Sequence, residues 1–363
     1  WEPKAAGNNK NNPQPAFIDS TISGTAIFQN RLVILSDDNI LTSETDNTTS
    51  LFRNTVSQVL STQPVNIRST ASDSSPFRHA INHNKDLLLT TENAQYKLDG
   101  KVPITPQTAG LPQVSSYSNK SEVQPVSLGN KVYFGFSYGK STGISEYSSS
   151  SVSEIQERSD AITQEVKGFL AEEVELITGD ASTGTIIVAS RSGELYVCDF
   201  DTATSRTEKP RYAWSLWNGF RSDDTYTIEA ISMTKTKLTA VIAHNDQLDL
   251  VSLEIDQDSI EDSTLTYLDN QGVATVDGSH QITLPTGYLI NNNLILAHDF
   301  GQATQGITEE YTVISPTVIE LNDKSADLIG VDLVYGTPFK STVTPQYILG
   351  RDNAGKINSN TKI

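Results

Sequence analysis

The stretch of sequence that decides the fold is Ile186-Ile187-Val188, a turn at Ser192-Gly193, and Leu195-Tyr196-Val197-Cys198. Two apolar runs joined by a short polar segment that contains Gly are typical of a β-hairpin. Four other stretches repeat this pattern: Leu32 to Leu41, Leu87 to Leu98, Val132 to Tyr147, and Leu238 to Leu253. The five copies begin at residues 32, 87, 132, 186 and 238, and a spacing near fifty residues is typical of β-propeller blades.

The repeat therefore predicts an all-β fold, with a propeller-like domain of about five to six blade-like units, irregular ones included. A chain of 363 residues exceeds what one core supports, so a smaller second module is expected as well. We place an extended arm at residues 1–20, the propeller-like domain at 21–256, and a smaller β-rich module at 257–363. Because the first residue is Trp1, we expect the sequence to be part of a longer polypeptide.

One segment near residues 151–170 departs from the strand pattern. Its apolar residues are spaced mostly by three, four or seven positions, at Val152, Ile155, Ile162, Val166 and Leu170. That spacing favours a short amphipathic helix, which Ser159 or Asp160 would cap. We expect this helical insertion on the rim of the repeat array, where partners bind.

The charge of the chain limits its partners. With 44 acidic and 26 basic residues, the net charge is −18 and the pI is about 4.6. Such a surface repels polyanions, which argues against ordinary nucleic-acid binding. A channel through which DNA slides without sticking would also have a negative wall, so the sign of the charge leaves both readings open.

The sequence offers few residues for chemistry. A single cysteine, Cys198, allows no disulfide or thiolate metal site within one chain. No apolar run is long enough to cross a bilayer. We predict no catalytic residue, no cofactor and no metal. The pair His79 and His83 favours ordinary loop histidines, with a metal site as the alternative.

Two local motifs match catalytic patterns only superficially. Gly135 to Gly139 fits Gly-x-Ser-x-Gly, but a nucleophile elbow needs a following helix, and a second strand is expected here. The overlapping Gly139-Lys140-Ser141 resembles the end of a phosphate-binding loop, but Phe134 stands where its partner glycine is required. Both motifs are better explained as turn chemistry within the third hairpin.

The pair Trp214 and Trp217 allows two interpretations. Tryptophans are usually packing or interface anchors, which favours a structural role. A sugar-binding aromatic surface is the alternative. The many carboxylates and this pair keep open a polysaccharide-degrading propeller as a second function, and a generic protein-binding propeller as a third.

Several stretches, in order, resemble one known family. They are Trp1-Glu2-Pro3-Lys4-Ala5-Ala6-Gly7, Asn12 to Phe17, Ile27 to Ser36, Gln124-Pro125-Val126, Val132 to Phe134 with Ile144 to Tyr147, Asp160 to Thr163, Leu195 to Val197, and Ala213 to Trp217. Their order and spacing are similar to those of the tail nozzle protein of short-tailed bacteriophages, also called tail tubular protein B. The similarity is strong over residues 1–255 and looser beyond.

The resemblance implies a structural virion protein of the phage tail and no enzyme. It implies a homo-hexameric tube that conducts and gates DNA during ejection, without sequence-specific binding. The implied partners are a tail adaptor protein ring and a tail fibre protein. Our candidate structural or interface residues are Trp1, Arg31, Ile155, Ile162, Val166, Trp214 and Trp217.

Overall fold

The fold is taken from a computed structural model of the chain. It describes residues 1–69, 75–148, 158–201, 211–218, 227–244, 247–255, 268–285, 288, 290, 294–298, 304, 306–343, 350–351 and 357–358. The chain divides into two compact units, Trp1–Ser259 and Ile260–Ile363. The boundary expected at residues 256 and 257 lies outside the described residues.

The first unit is built from short antiparallel strands. In chain order they are β1 Ile22–Phe28, β2 Arg31–Ser36, β3 Asn39–Thr42, β4 Val65–Arg68, β5 His79–His83, β6 Asp86–Thr90, β7 Gln95–Leu98, β8 Gln113–Ser115, β9 Val126–Leu128, β10 Lys131–Tyr138, β11 Ser141–Ser148, β12 Arg158–Ala161, β13 Val174–Asp180, β14 Thr185–Ser190, β15 Leu195–Asp201, β16 Arg211–Trp217, β17 Thr227–Thr234, β18 Lys237–His244 and β19 Gln247–Glu254.

These strands form five sheets in chain order. Sheets one to four contain β1–β4, β5–β8, β9–β12 and β13–β16, and the described residues of sheet five are the three strands β17–β19. In every sheet the spatial order follows the chain order. The five hairpins predicted from the repeat are confirmed, because each one is the antiparallel pair made by the second and third strands of a sheet.

Successive side chains of a strand point to opposite faces of the sheet. A strand that packs against a core on each face therefore needs apolar residues at every position, as β14 shows. In β14, Ile186 and Val188 enter the core shared with sheet three, whereas Ile187 and Ala189 enter the core shared with sheet five. All four side chains are fully buried. A strand that packs on both faces reads as a continuous apolar run, which is why these strands dominate the sequence signal.

Neighbouring sheets meet along their first strands. β1 contacts β5, β5 contacts β9, β9 contacts β13, and β13 contacts β17. Apolar cores fill the spaces between successive sheets. This serial arrangement of four-stranded antiparallel sheets is propeller-like.

The first twenty residues lie against sheet one without forming a strand before Ile22. The side chain of Asn12 donates to the carbonyls of Ala6 and Arg53, at 2.8 and 2.9 Å. Phe17, which is 8% exposed, packs with Ile34 of β2. The arm therefore covers part of the face of sheet one that points away from sheet two.

The helix expected near residues 151–170 is corrected by the structure over its described part, 158–170. Ser159 and Asp160, expected to cap it, lie within strand β12, which pairs with β11. A single 3-10 turn follows at Gln164–Val166. Pairing with an exposed strand edge satisfies the backbone more completely than a short helix would, so tertiary contact overrides the local periodicity.

The second unit is also β-rich. Its strands are β20 Asp269–Thr275, β21 Gln281–Thr283, β22 Ile295–His298, β23 Tyr311–Ser315, β24 Val318–Leu321, β25 Asp332–Thr337, β26 Gly350–Arg351 and β27 Ile357–Asn358. They form sheets ordered β20-β25-β22, β21-β24-β23 and β26-β27. Leu296, Ile319 and Leu333 lie in the core of this unit with no exposed surface.

Candidate functional site

Arg31 lies inside the first unit, although arginine is usually found at the surface. It is 1% exposed, and Nη1 donates to the carbonyls of Ser43 and Gln63 at 2.6 and 2.9 Å. Nη2 donates to the carbonyls of Ser61 and Ile104, both at 3.0 Å. Burial lowers the pKa of Arg31 from its ordinary value. The guanidinium therefore holds together three loop segments at one end of sheets one and two.

Trp1 lies on the surface beside the arm. Its side chain is 66% exposed, and its ring meets the edge of Phe17 at 5.4 Å between centroids. The amide of Glu2 donates to the carbonyl of Thr49 at 3.0 Å, which attaches the start of the arm to the β3–β4 connection. Trp1 thus packs on the outer side of Phe17, and most of its indole ring remains exposed.

Trp214 and Trp217 belong to β16, the fourth strand of sheet four. Because they are three residues apart on one strand, their side chains lie on opposite faces. Trp214 packs against the core between sheets three and four, and Trp217 packs against the core between sheets four and five. Both are partly buried. They cannot form one aromatic platform, which removes the geometric basis for the sugar-binding interpretation.

A half-buried carboxylate, that of Glu146, joins sheets three and four. Oε2 of Glu146 accepts from Nζ of Lys131 at 2.9 Å, from the hydroxyl of Tyr133 at 3.4 Å, and from the hydroxyl of Tyr212 at 2.5 Å. Burial, reinforced by this carboxylate, raises the pKa of both tyrosines well above the ordinary value. Burial also raises the pKa of the Cys198 thiol to about 12, so the thiol stays protonated and unreactive.

His79 and His83 are the two ends of strand β5 rather than loop residues, and they join sheet two to strand β9 of sheet three and to the segment before it. His79 Nε2 lies 2.9 Å from the carbonyl of Ser121, and His83 Nδ1 lies 2.9 Å from the hydroxyl of Ser127. Burial lowers the pKa of both imidazoles. Within the described residues, no group of three or more His, Cys, Asp or Glu side chains is arranged to hold a metal ion.

The two catalytic look-alike motifs lie in a hairpin. β10 runs through Ser137 to Tyr138, Gly139 turns with a φ of 63°, and β11 begins at Ser141. Ser137 faces Thr142 in the antiparallel register. No helix N-terminus follows the serine, so the interpretation of the motifs as turn chemistry is confirmed.

The second unit contains a hydroxyl–imidazole–carboxylate arrangement. His298 is 5% exposed, with Nδ1 2.7 Å from the Thr304 hydroxyl and Nε2 2.7 Å from the Glu309 carboxylate. The nearby amide of Gly306 donates to the carbonyl of His298, so it is not directed at an oxyanion beside Thr304. The three side chains thus connect the end of β22 to Thr304 and Glu309, which follow it in the chain.

The three apolar candidates of the 151–170 segment have different positions. Ile162 follows β12 and is 7% exposed in the core between sheets three and four. Val166 ends the 3-10 turn and is half-buried. Ile155 lies outside the described residues. Ile162 is therefore a core residue rather than an accessible interface residue.

The face of sheet five that points away from sheet four was missed by the sequence reasoning. We call it the open face and assign its members from the strand register: Thr227, Ala230, Ser232, Thr234, Lys237, Thr239, Val241, Ala243, Leu248, Leu250, Ser252 and Glu254. Leu248 and Leu250 are 70% and 75% exposed. Their alternation in sequence resembles that of a buried strand, so only the structure reveals that this face is uncovered by described residues.

Comparison with known proteins identifies the family. The model of the family described as bacteriophage nozzle protein matches residues 1–362. The chain belongs to the bacteriophage nozzle protein family. It is a structural component of the phage tail, as its resemblance implies. Among the described residues of this nozzle protein, no helix is both long and apolar enough for a membrane span.

One curated relative and several solved structures are similar to the nozzle protein. Tail tubular protein gp12 of Escherichia phage T7 is 24% identical over 219 residues, which is 60% of this chain and 28% of that relative. The Pan2 WD40 domain of Neurospora crassa is 10% identical, covering 92% of this chain and 94% of that one, with a TM-score of 0.37. The Cps50 (Swd1) β-propeller domain of Myceliophteria thermophila is 10% identical over 64% of this chain and 72% of its own, with a TM-score of 0.37.

Proposed function

We propose that this nozzle protein forms part of the wall of a homo-hexameric tube, which conducts DNA and gates its passage during ejection. The observation that carries the proposal is the family match over residues 1–362. The serial sheets support it, because cores between all five sheets make a rigid body whose connecting loops lie at the sheet ends. Gating by such loops is steric and needs no catalytic residue.

The charge of the chain supports a conducting role. A net charge of −18 denies DNA phosphates the stable cationic contacts that give non-specific affinity. DNA could therefore move along such a wall without being held by it. In this proposal the tube stacks below the adaptor ring of the tail, and a tail fibre protein contacts the tube.

A polysaccharide hydrolase or lyase is the main alternative. It loses support from the two tryptophans, which lie on opposite faces of β16. A generic protein-binding propeller is the third possibility, and it predicts a monomer that binds a partner without forming a tube.

The proposal is tested by the oligomeric state of the full-length protein, alone and with its adaptor ring. Native mass measurement and negative-stain microscopy should show six-fold rings that stack on the adaptor. A mobility-shift titration with double-stranded DNA at low salt should show no stable complex. A persistent monomer that turns over polysaccharide with saturation kinetics would overturn the nozzle assignment in favour of the enzyme.

A further inference from the structure

The face of sheet two that points towards sheet three is largely buried but polar. The strand register places these side chains on it: His79, Ile81, His83, Asp86, Leu88, Thr90, Gln95 and Lys97. Ile81 and Leu88 are the two apolar members of this set, although His83, Thr90 and Gln95 are 4%, 1% and 0% exposed. The opposite face of the same strands is largely apolar and packs in the core shared with sheet one. The two faces of sheet two therefore make junctions of different chemistry.

The apolar core between sheets two and three is also the smallest in the described part of the series. It contains four buried side chains, of which sheet two supplies Leu88. The cores between sheets one and two, three and four, and four and five contain twelve, eleven and seven. A cavity of about 10 Å³, enough for about one water, lies beside Leu88 among His83, Asp86, Lys97 and Tyr147. Because burial of apolar surface stabilises packing, this junction is held least firmly.

The hydrogen bonds of His83 require a neutral imidazole. Its Nε2 lies 3.1 Å from Nδ2 of Asn84, an amide nitrogen that can only donate, so Nε2 accepts. Nδ1 then carries the proton and donates to the hydroxyl of Ser127 in β9 at 2.9 Å. A second proton on Nε2 would place two donors against each other. Protonation of His83 is therefore incompatible with the closed arrangement of these side chains.

His79 crosses the junction at the other end of β5. Its Nε2 donates to the carbonyl of Ser121, in the segment that precedes β9, at 2.9 Å. Burial lowers the pKa of this imidazole; the Ser121 carbonyl and Glu122 oppose that effect, and Arg78 adds to it. The neutral ring thus fits the closed junction better than the charged ring does.

The charged groups around His83 do not compensate for a further proton. Burial lowers the pKa of its ring, and Asp86 of β6 and the backbone of Asn130 offset that effect only in part. Asp86 is also paired at 3.8 Å with Lys97 of β7, whose ammonium repels a charged imidazole. From the described strands of sheet three, the register turns Tyr147 but no carboxylate towards the junction. A charge on His83 is therefore costly while the junction is closed and is solvated when water enters it.

We propose that the junction between sheets two and three is an acid-sensitive hinge, which opens when His79 and His83 are protonated. Sheets one and two move as one body and sheets three to five as another, because the larger apolar cores within each body stay closed. Opening exposes mainly polar groups, which exchange their bonds across the junction for bonds to water. The hinge lies within one chain, so it goes beyond the proposed function and does not depend on the tube.

The connection between β8 and β9 supplies the pivot. The amide of Asn119 donates to the carbonyl of Glu92 on the side of sheet two, at 2.7 Å. The amide of the next residue, Lys120, donates to the carbonyl of Gly135 on the side of sheet three, also at 2.7 Å. Because consecutive residues are bonded to opposite sides, this connection keeps the two bodies attached while the histidine side of the junction opens.

The test measures the accessibility of thiols at two adjacent positions of β6 in the full-length protein. Leu88→Cys reports on the junction with sheet three, and Leu89→Cys, in the core shared with sheet one, is the matched control; the two leucines are 2% and 0% exposed. The native Cys198, fully buried between sheets three and four, is an internal reference in both variants. Labelling by dithiodipyridine at pH 7.5 and pH 5 is expressed relative to Cys198, which cancels the intrinsic pH dependence of thiol reactivity.

The two positions should respond differently to acid. Between pH 7.5 and pH 5 the relative labelling rate at position 88 should rise about tenfold or more, since the open state binds protons that the closed state excludes. The relative rate at position 89 should change by less than about twofold, since its core stays closed. Adding His79→Gln with His83→Gln should abolish the rise at position 88. His280→Asn, at an imidazole of the second unit, should leave the rise unchanged.

Three results would overturn the inference. Equal relative rates at position 88 at the two pH values would show that acid does not open the junction. A rise of the same size at positions 88 and 89 would show that sheet two loosens as a whole. A rise that survives the two histidine substitutions would assign the opening to other groups. If Leu88→Cys fails to fold, Val132→Cys reports on the same core from sheet three, at a side chain with no exposed surface.

Discussion

Sheets one and five, at the two ends of the series, each have one face that none of the other described sheets covers, and they differ in how far that face is buried. At sheet one, Phe17 of the arm and Leu51 of a loop bury Ile34 and Leu41. At sheet five, Leu248 and Leu250 remain exposed among the described residues. The same chain thus has one outward apolar face that is partly covered by an arm and a loop, and another that is exposed. The comparison indicates that apolar exposure at sheet five is not forced by the fold, since the same fold covers much of the equivalent surface at its other end.

The largest effect is expected at the covered end, from Arg31→Met. The substitution keeps much of the side-chain volume but leaves four loop carbonyls without their donors, so we expect a loss of about 4 kcal/mol in the free energy of unfolding. Urea unfolding followed by fluorescence measures it. Arg68→Met is the control, because that side chain is 73% exposed and its pair with Asp38 should contribute less than about 1 kcal/mol. Equal losses for the two variants would contradict the buried role of Arg31.

The next effect compares the two ends directly. Phe17→Ala should cost about 3 kcal/mol, because it removes a side chain that is 8% exposed and uncovers Ile34. Leu250→Ala should change the stability of the isolated subunit by less than about 0.5 kcal/mol, because that leucine is 75% exposed. Both are measured by urea unfolding in dilute solution. A large loss for Leu250→Ala would mean that the open face of sheet five is covered within the subunit.

A smaller effect is expected at the junction between sheets three and four, in the interior of the sheet series. Tyr212→Phe removes the hydroxyl that donates to Glu146 at 2.5 Å between sheets three and four. Hydrogen bonds to charged groups contribute about 1.5–3 kcal/mol, and Lys131 and Tyr133 remain to solvate the carboxylate, so we expect the lower figure. Tyr138→Phe, at a tyrosine that is 44% exposed, should be neutral. Indistinguishable unfolding curves for the two variants would show that the cross-sheet bond adds nothing.

The smallest effect concerns pH at the junction of sheets two and three. In the unfolded chain His79 and His83 should titrate near the ordinary pKa of about 6.5, whereas burial lowers the pKa of both in the folded chain. The neutral imidazoles therefore contribute stability that is present above about pH 6.5 and is lost as the pH falls through the folded pKa. Arg78 opposes protonation of His79 while Glu122 favours it, and Asp86 favours protonation of His83.

The measurement for this last prediction is the urea midpoint at pH 7.5 and pH 5. The midpoint of the wild type should fall more between these values than that of the double variant His79→Gln with His83→Gln, because the carboxylates titrate in both. Parallel pH dependence in the two proteins would show that these histidines do not couple protonation to folding.

Much of the fold follows from the sequence because second strands such as β14 are buried on both faces and give strong apolar runs. The weaker first and fourth strands are harder to predict. β8 (Gln113–Ser115) has no fully buried residue, and its sequence resembles a loop. The amphipathic spacing near Ile162 misleads for the opposite reason, because Ile162 is buried next to a paired strand rather than on a helix. Local patterns report which residues are apolar, whereas the partner strand decides the backbone conformation.

The functional surfaces are predicted less well. The sequence suggests that Arg31, Trp214 and Trp217 matter, but it cannot show that the arginine binds four carbonyls or that the indoles enter different cores. Leu248 and Leu250 give the same pattern as buried leucines in other hairpins. The exposure of a side chain depends on which residues pack against its face of the sheet, and the sequence of a single strand does not contain that information.

The apolar runs of the second strands have a consequence for register. In β14 a slip of one residue would exchange Ile187 for Val188 between the two cores, and both cores would still receive aliphatic side chains. Hydrophobicity therefore says almost nothing about which alignment is correct. That information resides in the polar minority, such as Tyr212 reaching Glu146 and Arg31 reaching its carbonyls, since these contacts exist in one alignment only. These polar residues therefore specify the strand register in a chain whose apolar residues are nearly interchangeable.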